Sequence, residues 1–234
     1  MKEPFFSLSV ILPVYNEGEN IADTVADTAK FLSEQSFLSA YEMIVVDDGS
    51  TDASRTILNS LGDQVRHLKV LHHPRNLGYG AALVSGIQQA ISEWVLLMDA
   101  DGQFKVDALL PMIPCLEHYD IVAGFRFKRT DSLYRIFLGQ CYSRLAALLF
   151  KVNLKDINCG FKLFRKDIIN IDAISSHGGV FYTDFFMKAI KQGCRVQQLP
   201  VEHFPRVRGK QTGASLKVVS AAVIDVIRLL WSGE

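Results

Sequence analysis

Acidic residues stand where apolar runs stop. Leu8–Leu12 leads into Pro13-Val14-Tyr15-Asn16-Glu17, Met43–Val46 into Asp47-Asp48-Gly49-Ser50, and Trp94–Met98 into Asp99-Ala100-Asp101-Gly102-Gln103. Carboxylates gathered in one place repel one another unless something neutralises them. A divalent cation does so economically, because Mg²⁺ or Mn²⁺ takes one or two protein carboxylates and completes its shell with water and phosphate oxygens. Asp99 and Asp101 can face one ion if the chain turns between them, an arrangement suited to holding a nucleoside diphosphate and stabilising its departure. Each motif alone has a plainer reading: D-x-D as a turn, and DDGSTD as a turn in which Ser50 or Thr51 caps the next helix. Their recurrence at successive strand ends favours a site.

The elements that must position these acids alternate. Strands are expected at Leu8–Leu12, Met43–Val46, Leu68–Leu71, Trp94–Met98 and Ile121–Ala123. Helices are expected at Glu19–Ser33, Ala53–Leu61, Tyr79–Ile91 and Val106–Leu116. This pattern predicts an α/β fold, with a mostly parallel Rossmann-like sheet covered by helices on both faces. Ligands of such sheets bind beyond the carboxyl ends of the strands, so the acids converge on one edge. After about residue 125 the pattern changes to a helix over Leu133–Val152, a strand over Val196–Val201, a basic loop over Arg206–Gly213 and a last helix over Ser215–Trp231.

Composition narrows the class. The chain has 234 residues, 49% hydrophobic and 21% charged, with 25 basic and 25 acidic residues. These values exclude a disordered chain and a free-standing polycation for nucleic acid. The neutrality hides a division: residues 1–121 hold 7 basic and 17 acidic residues (−10), 122–166 hold 10 and 2 (+8), and 167–234 hold 8 and 6 (+2). Cys115, Cys141, Cys159 and Cys194 form no CxxC pair, which reads as a reduced protein without a zinc knuckle. The first residues lack a signal-peptide pattern and no apolar run reaches membrane-spanning length. The expected location is cytoplasmic, with peripheral contact at the membrane face. Gly78-x-Gly80 lacks the third glycine of a dinucleotide fingerprint, and His72-His73 reads as a strand end.

With LPVYNE (12–17), VVDDGSTD (45–52), NLGYGAAL (76–83) and MDADGQF (98–104), the sequence resembles the family 2 glycosyltransferases of GT-A fold. VAGFR (122–126), DINCGFKLFRKD (156–167) and PVEHFPRVRG (200–209) resemble the dolichol- and polyprenol-phosphate branch. The resemblance implies an inverting transfer of a hexose from a nucleotide-sugar donor (UDP- or GDP-linked) to a polyprenyl or dolichyl phosphate, with Mg²⁺ or Mn²⁺ as cofactor. It implies one domain over 1–213, with a nucleotide-sugar-binding half (1–125) and an acceptor half (126–213), followed by a C-terminal amphipathic helix (214–234). By the same resemblance Pro13, Tyr15, Glu17 and one of Asp47 and Asp48 line the nucleoside pocket. Asp99, Asp101 and Gln103 hold the metal, and Arg126 and Arg206 face phosphates. The branch's usual Ser-Lys pair is absent after Arg206, although Arg208 and Lys210 keep that loop basic.

Asp184 has two readings: a general base, which a hydroxyl acceptor needs and an ionised phosphate does not, or an acid complementing a helix start. Arg126 likewise reads as a phosphate ligand or an ion-pair partner. The segments 133–152 and 215–231 are amphipathic and suit a membrane interface or core packing. Transfer to a saccharide or protein hydroxyl, and a catalytically silent nucleotide-sugar-binding module, are the competing functions. The intact D-x-D stands against silence.

Overall fold

The computed structural model describes residues 5–127, 133–168, 170–174, 176, 178, 180–206, 208–209 and 226. Lys210 and the expected helix at 215–231 lie outside these residues, Val226 excepted. Seven strands form one sheet: β1 (Phe6–Val14), β2 (Leu38–Asp47), β3 (Leu68–His72), β4 (Trp94–Leu97), β5 (Ile121–Phe127), β6 (Lys162–Arg165) and β7 (Val196–Glu202). Their spatial order is β3-β2-β1-β4-β6-β5-β7. All pairings are parallel except those of β6, which runs antiparallel to β4 and β5. β6 therefore wedges the second half of the chain directly against the strand that leads to Asp99.

The helices are α1 (Ile21–Ser33), α2 (Ser54–Gln64), α3 (Tyr79–Gln89), α4 (Leu133–Phe150) and α5 (Phe181–Lys191). The first three lie within three residues of the limits read from apolar periodicity. Val106–Leu116 does not. It is a run of 3₁₀ turns over Val106–Glu117. Pro111 and Pro114 each remove a backbone donor and clash with the preceding turn, so a regular α-helix cannot continue through them.

Alternation along the strands divides the core. Leu8, Val10 and Leu12 point to one face with Val45, Leu96 and Leu163, under α1 and the 3₁₀ segment. Ile11, Ile44, Val95 and Leu97 point to the other, under α3 and α5. The α3 contact is close: a Cβ on Gly86 would meet Ile11 Cγ2 at 2.5 Å. Burying each large aliphatic side chain contributes about 1.5–3 kcal/mol, and both clusters anchor the strand ends from below. On α4, Tyr142 and Ala146 pack inward while Phe137 (61% exposed) and Leu148 (79%) face out. Among the described residues no helix is long and apolar enough to cross a membrane.

Candidate active site

The loop after β1 is stitched to the loop after β2. Asn16 N–H donates to Ser50 Oγ (2.9 Å), Thr51 N–H to Asn16 Oδ1 (2.8 Å), Glu17 N–H to Ser54 Oγ (2.9 Å) and Gly18 N–H to Asp52 Oδ2 (3.0 Å). Ser50 and Thr51 are thus engaged across the loops and do not cap α2. Asp52 supports that helix start instead, its Oδ1 accepting from Ser54 N–H at 2.9 Å. Pro13 is buried at the end of β1, whereas Tyr15 presents an exposed ring.

Asp47 and Asp48 are buried, and their oxygens are occupied by the chain itself. Asp47 accepts from Ser50 N–H (2.8 Å) and meets His72 Nδ1 (2.8 Å). Although burial opposes ionisation, the Ser50 and His72 hydrogen bonds outweigh it and hold this carboxyl below its usual value. Asp48 meets His73 Nδ1 (2.7 Å) and accepts from the N–H groups of Leu77 and Gly78 (both 2.8 Å). Both acids fix backbone at the edge where the resemblance implies a nucleoside. Asp48 fixes the entry to α3.

Beyond β4, Asp101 Oδ1 accepts from Gln103 N–H at 3.1 Å, and Oδ2 lies 3.6 Å from Arg206 Nη1. Asp99 Oδ1 accepts from the Tyr79 hydroxyl at 2.6 Å. The Asp99 carboxylate lies over Gly160, where a Cβ would come within 2.0 Å of Oδ2. Burial pushes Asp99 up. Burial first, and then the charge of Asp99, push Asp101 up to about 7.

Arg206 also grips Glu17, with Nη2 donating to Oε1 (2.7 Å) and Oε2 (2.6 Å). Arg206 pairs with Glu17 and Asp101, whereas Asp99 feels the charges of Arg126 and Lys162; around Asp101, the carboxylates of Asp99 and Glu17 outnumber the Arg206 guanidinium. That imbalance is the chemistry a divalent cation fits. Among the described residues no three His, Cys, Asp or Glu side chains gather at one point. A cation would thus take Asp99 and Asp101 and draw its other ligands from water and phosphate, as Mg²⁺ and Mn²⁺ do.

A pH dependence follows. Without metal, ionised Asp101 is disfavoured in the folded protein relative to the unfolded chain, so its contribution to stability falls as pH rises from about 4 to about 7. A Mn²⁺ ion held by the pair would oppose the repulsion and compete with the proton. Thermal melts with and without Mn²⁺ should show a larger metal-induced rise at pH 8 than at pH 5. Equal rises would contradict the assignment of the ion to this pair.

Gln103 anchors a neighbouring segment. Its Nε2 donates to the Phe204 carbonyl (3.1 Å), and its own carbonyl accepts from Phe204 N–H (2.9 Å). This brings Arg206 to Asp101 and sets the His203 ring against Phe104, with centroids 5.3 Å apart. Arg126 is held by Asp156 through two bonds of 2.7 and 2.9 Å, the ion-pair reading of this residue. Asp184 is fully buried, accepts from Ser176 N–H (3.1 Å) and pairs with Lys188 (2.8 Å). It lies about 200° around α5 from Tyr182, whose hydroxyl meets that of Tyr79 (2.9 Å), and these contacts give Asp184 a structural setting in the first turn of α5.

Four contributors escaped the sequence reading: Tyr79, Gly160, Lys162 and Tyr182. The available signal was a lysine inside the apolar run Phe161–Phe164. Lys162 is fully buried, and its ammonium bonds the Cys159 carbonyl and lies 3.8 Å from the Tyr182 ring centre. Burial pulls its pKa down to about 8. A cavity of about 460 Å³ opens beside Asp101, between α1 and the loop that follows β4, with Thr24, Thr28, Lys105 and Arg208 in its wall.

The parallel strands, β6 wedge and acid-lined carboxyl edge define a class. Residues 9–171 match the model of glycosyl transferase family 2, and the chain belongs to that family. It is 28% identical over 211 residues to the dolichyl-phosphate beta-glucosyltransferase ALG5A of Trichomonas vaginalis, covering 83% of this chain and 65% of that protein. It is 29% identical over 174 residues to the undecaprenyl-phosphate 4-deoxy-4-formamido-L-arabinose transferase of Yersinia pestis, covering 72% and 52% respectively. The chain thus spans between half and two thirds of the length of these two relatives. Mannosyl-3-phosphoglycerate synthase from Rubrobacter xylanophilus superposes with a TM-score of 0.73 at 16% identity, over 97% of this chain and 75% of that one. Glucosyl-3-phosphoglycerate synthase from Mycobacterium tuberculosis, solved with Mn²⁺ and UDP-glucose, gives 0.69 at 20%, over 97% and 78%. The fold is of GT-A type.

Proposed function

We propose that this chain transfers a hexose, with inversion, from a UDP- or GDP-linked donor to a polyprenyl phosphate. The observation that carries the reading is the Asp99–Asp101 pair, with its excess negative charge, beside Glu17 and Arg206 at the strand ends. The lipid-phosphate names of the sequence relatives supply the acceptor class, and Mn²⁺ in the glucosyl-3-phosphoglycerate synthase supports a divalent cation. A bound cation supplies positive charge opposite the leaving diphosphate. Asp99 and Asp101 hold it, with Gln103 bracing their loop. Arg206 offers a planar guanidinium suited to phosphate oxygens, and Lys210 extends the basic loop. Pro13, Tyr15 and Glu17 border the donor side, where Asp47 and Asp48 keep the loops in place. Arg126, oriented by Asp156, faces the acceptor half. The outward Phe137 and Leu148 on α4, with 215–231, support peripheral contact with the lipid surface.

A phosphate acceptor is ionised near neutral pH and needs no base, which agrees with the burial of Asp184 against Lys188. Asp184→Asn should therefore lower stability by about 1–3 kcal/mol in denaturant melts while leaving transfer to polyprenyl phosphate near the wild-type rate. Polyprenol lacking the phosphate should accept no sugar. Collapse of the rate in folded Asp184→Asn, or transfer to polyprenol, would instead indicate a hydroxyl acceptor.

A further inference from the structure

Tyr79 begins α3 and Tyr182 lies in the first turn of α5, yet their hydroxyls meet at 2.9 Å and their rings approach edge to face with centroids 6.0 Å apart. The Tyr79 hydroxyl also donates to Asp99 Oδ1 at 2.6 Å. A phenol has a single proton to donate. Since that of Tyr79 is on Asp99, Tyr182 must be the donor within the tyrosine pair. The bonds therefore run in one direction, from Tyr182 to Tyr79 to the carboxylate, and donors in series strengthen one another.

Both ends of this chain are built in. The Lys162 ammonium lies 3.8 Å from the Tyr182 ring centre, and a cation on the π face draws electron density from the phenol. Tyr79 is placed by Asp48, which takes the two N–H groups just before it at 2.8 Å each. The Asp99 carboxylate also lies against Gly160, too close to leave room for a Cβ. A tie that served only to join α3 to α5 would be complete at the tyrosine pair; this one continues to a carboxylate of the proposed metal site.

We propose that Tyr79 and Tyr182 are positioning residues, whose hydroxyl chain, backed by Lys162, fixes the Asp99 carboxylate for the cation it shares with Asp101. The inference rests on the metal reading of the site. Removing an outer partner of a metal-binding group typically lowers metal affinity about 10–100-fold.

Mn²⁺ titrations followed by electron paramagnetic resonance, on the full chain alone and with UDP or GDP, test this in Tyr79→Phe, Tyr182→Phe and the double variant. Tyr79→Phe should weaken Mn²⁺ binding about tenfold with little change in the melting midpoint. Tyr182→Phe should shift it in the same direction by less. The double variant should match Tyr79→Phe, because Tyr182 acts through Tyr79. Wild-type affinity in both single variants, or fully additive losses in the double, would overturn the inference while leaving the metal reading standing. Wild-type protein that takes up no Mn²⁺ under any of these conditions would overturn both.

Discussion

Asp99→Asn and Asp101→Asn should each lower glycosyl transfer by about a hundred- to a thousandfold, the scale of losing a principal electrostatic contact to developing charge, while the fold stays intact. The expectation about stability is the more distinctive half. Asp99 and Asp101 are both pushed up by burial, and Asp101 also by the neighbouring carboxylate. In metal-free protein above about pH 7 an ionised Asp101 is disfavoured by burial and by Asp99, so an amide at 101 removes that cost. Its melting midpoint should equal or exceed that of the wild type, and the stabilisation by Mn²⁺ should disappear. Asp99→Asn is the less neutral change, because it disturbs the bond from Tyr79. Circular dichroism melts alongside transfer rates check both parts. An Asp101→Asn protein that turns over normally would remove the pair from the mechanism.

Gly160→Ala should be nearly as severe, although the residue has no side chain to offer. A Cβ built there would stand 2.0 Å from Asp99 Oδ2 and 2.2 Å from its Cγ, separations that real Cβ atoms do not show. Either the carboxylate swings off its place or the turn leading into β6 retreats. A displacement of about 1 Å at a catalytic group costs on the order of a hundredfold in rate. Because β6 pairs with both β4 and β5, retreat of the turn should also lower the melting midpoint. Rates, melts and Mn²⁺ affinity of this variant distinguish the responses. Retention of wild-type rate and Mn²⁺ affinity together would show that the carboxylate's seat over Gly160 is not needed.

These effects differ in how legible they were. The D-x-D could be read from sequence because a strand, a turn and two acids are local features. Its convergence with Glu17 followed from the rule that ligands bind at strand carboxyl ends. The roles of Asp47 and Asp48 could not be read so well, because their partners, His72, His73, Leu77 and Gly78, arrive from the next strand and loop. Gly160 and Lys162 were hidden for a related reason. They matter only because β6 inserts antiparallel beside β4, a pairing across more than sixty residues of chain. The 3₁₀ segment shows the opposite failure. Its apolar spacing suited a helix, yet Pro111 and Pro114 were visible and should have outweighed periodicity.

The proposed transfer to a phosphorylated lipid is metal-assisted. Its most direct test is to incubate the full chain with polyprenyl phosphate, Mn²⁺ and a panel of UDP- and GDP-sugars labelled in the sugar, and then to partition the products between organic and aqueous phases. The prediction is label in the organic phase from one donor, lost on adding excess chelator and lost again with Asp101→Asn. Label confined to water-soluble product, or lipid-linked label that persists in chelator, would contradict it.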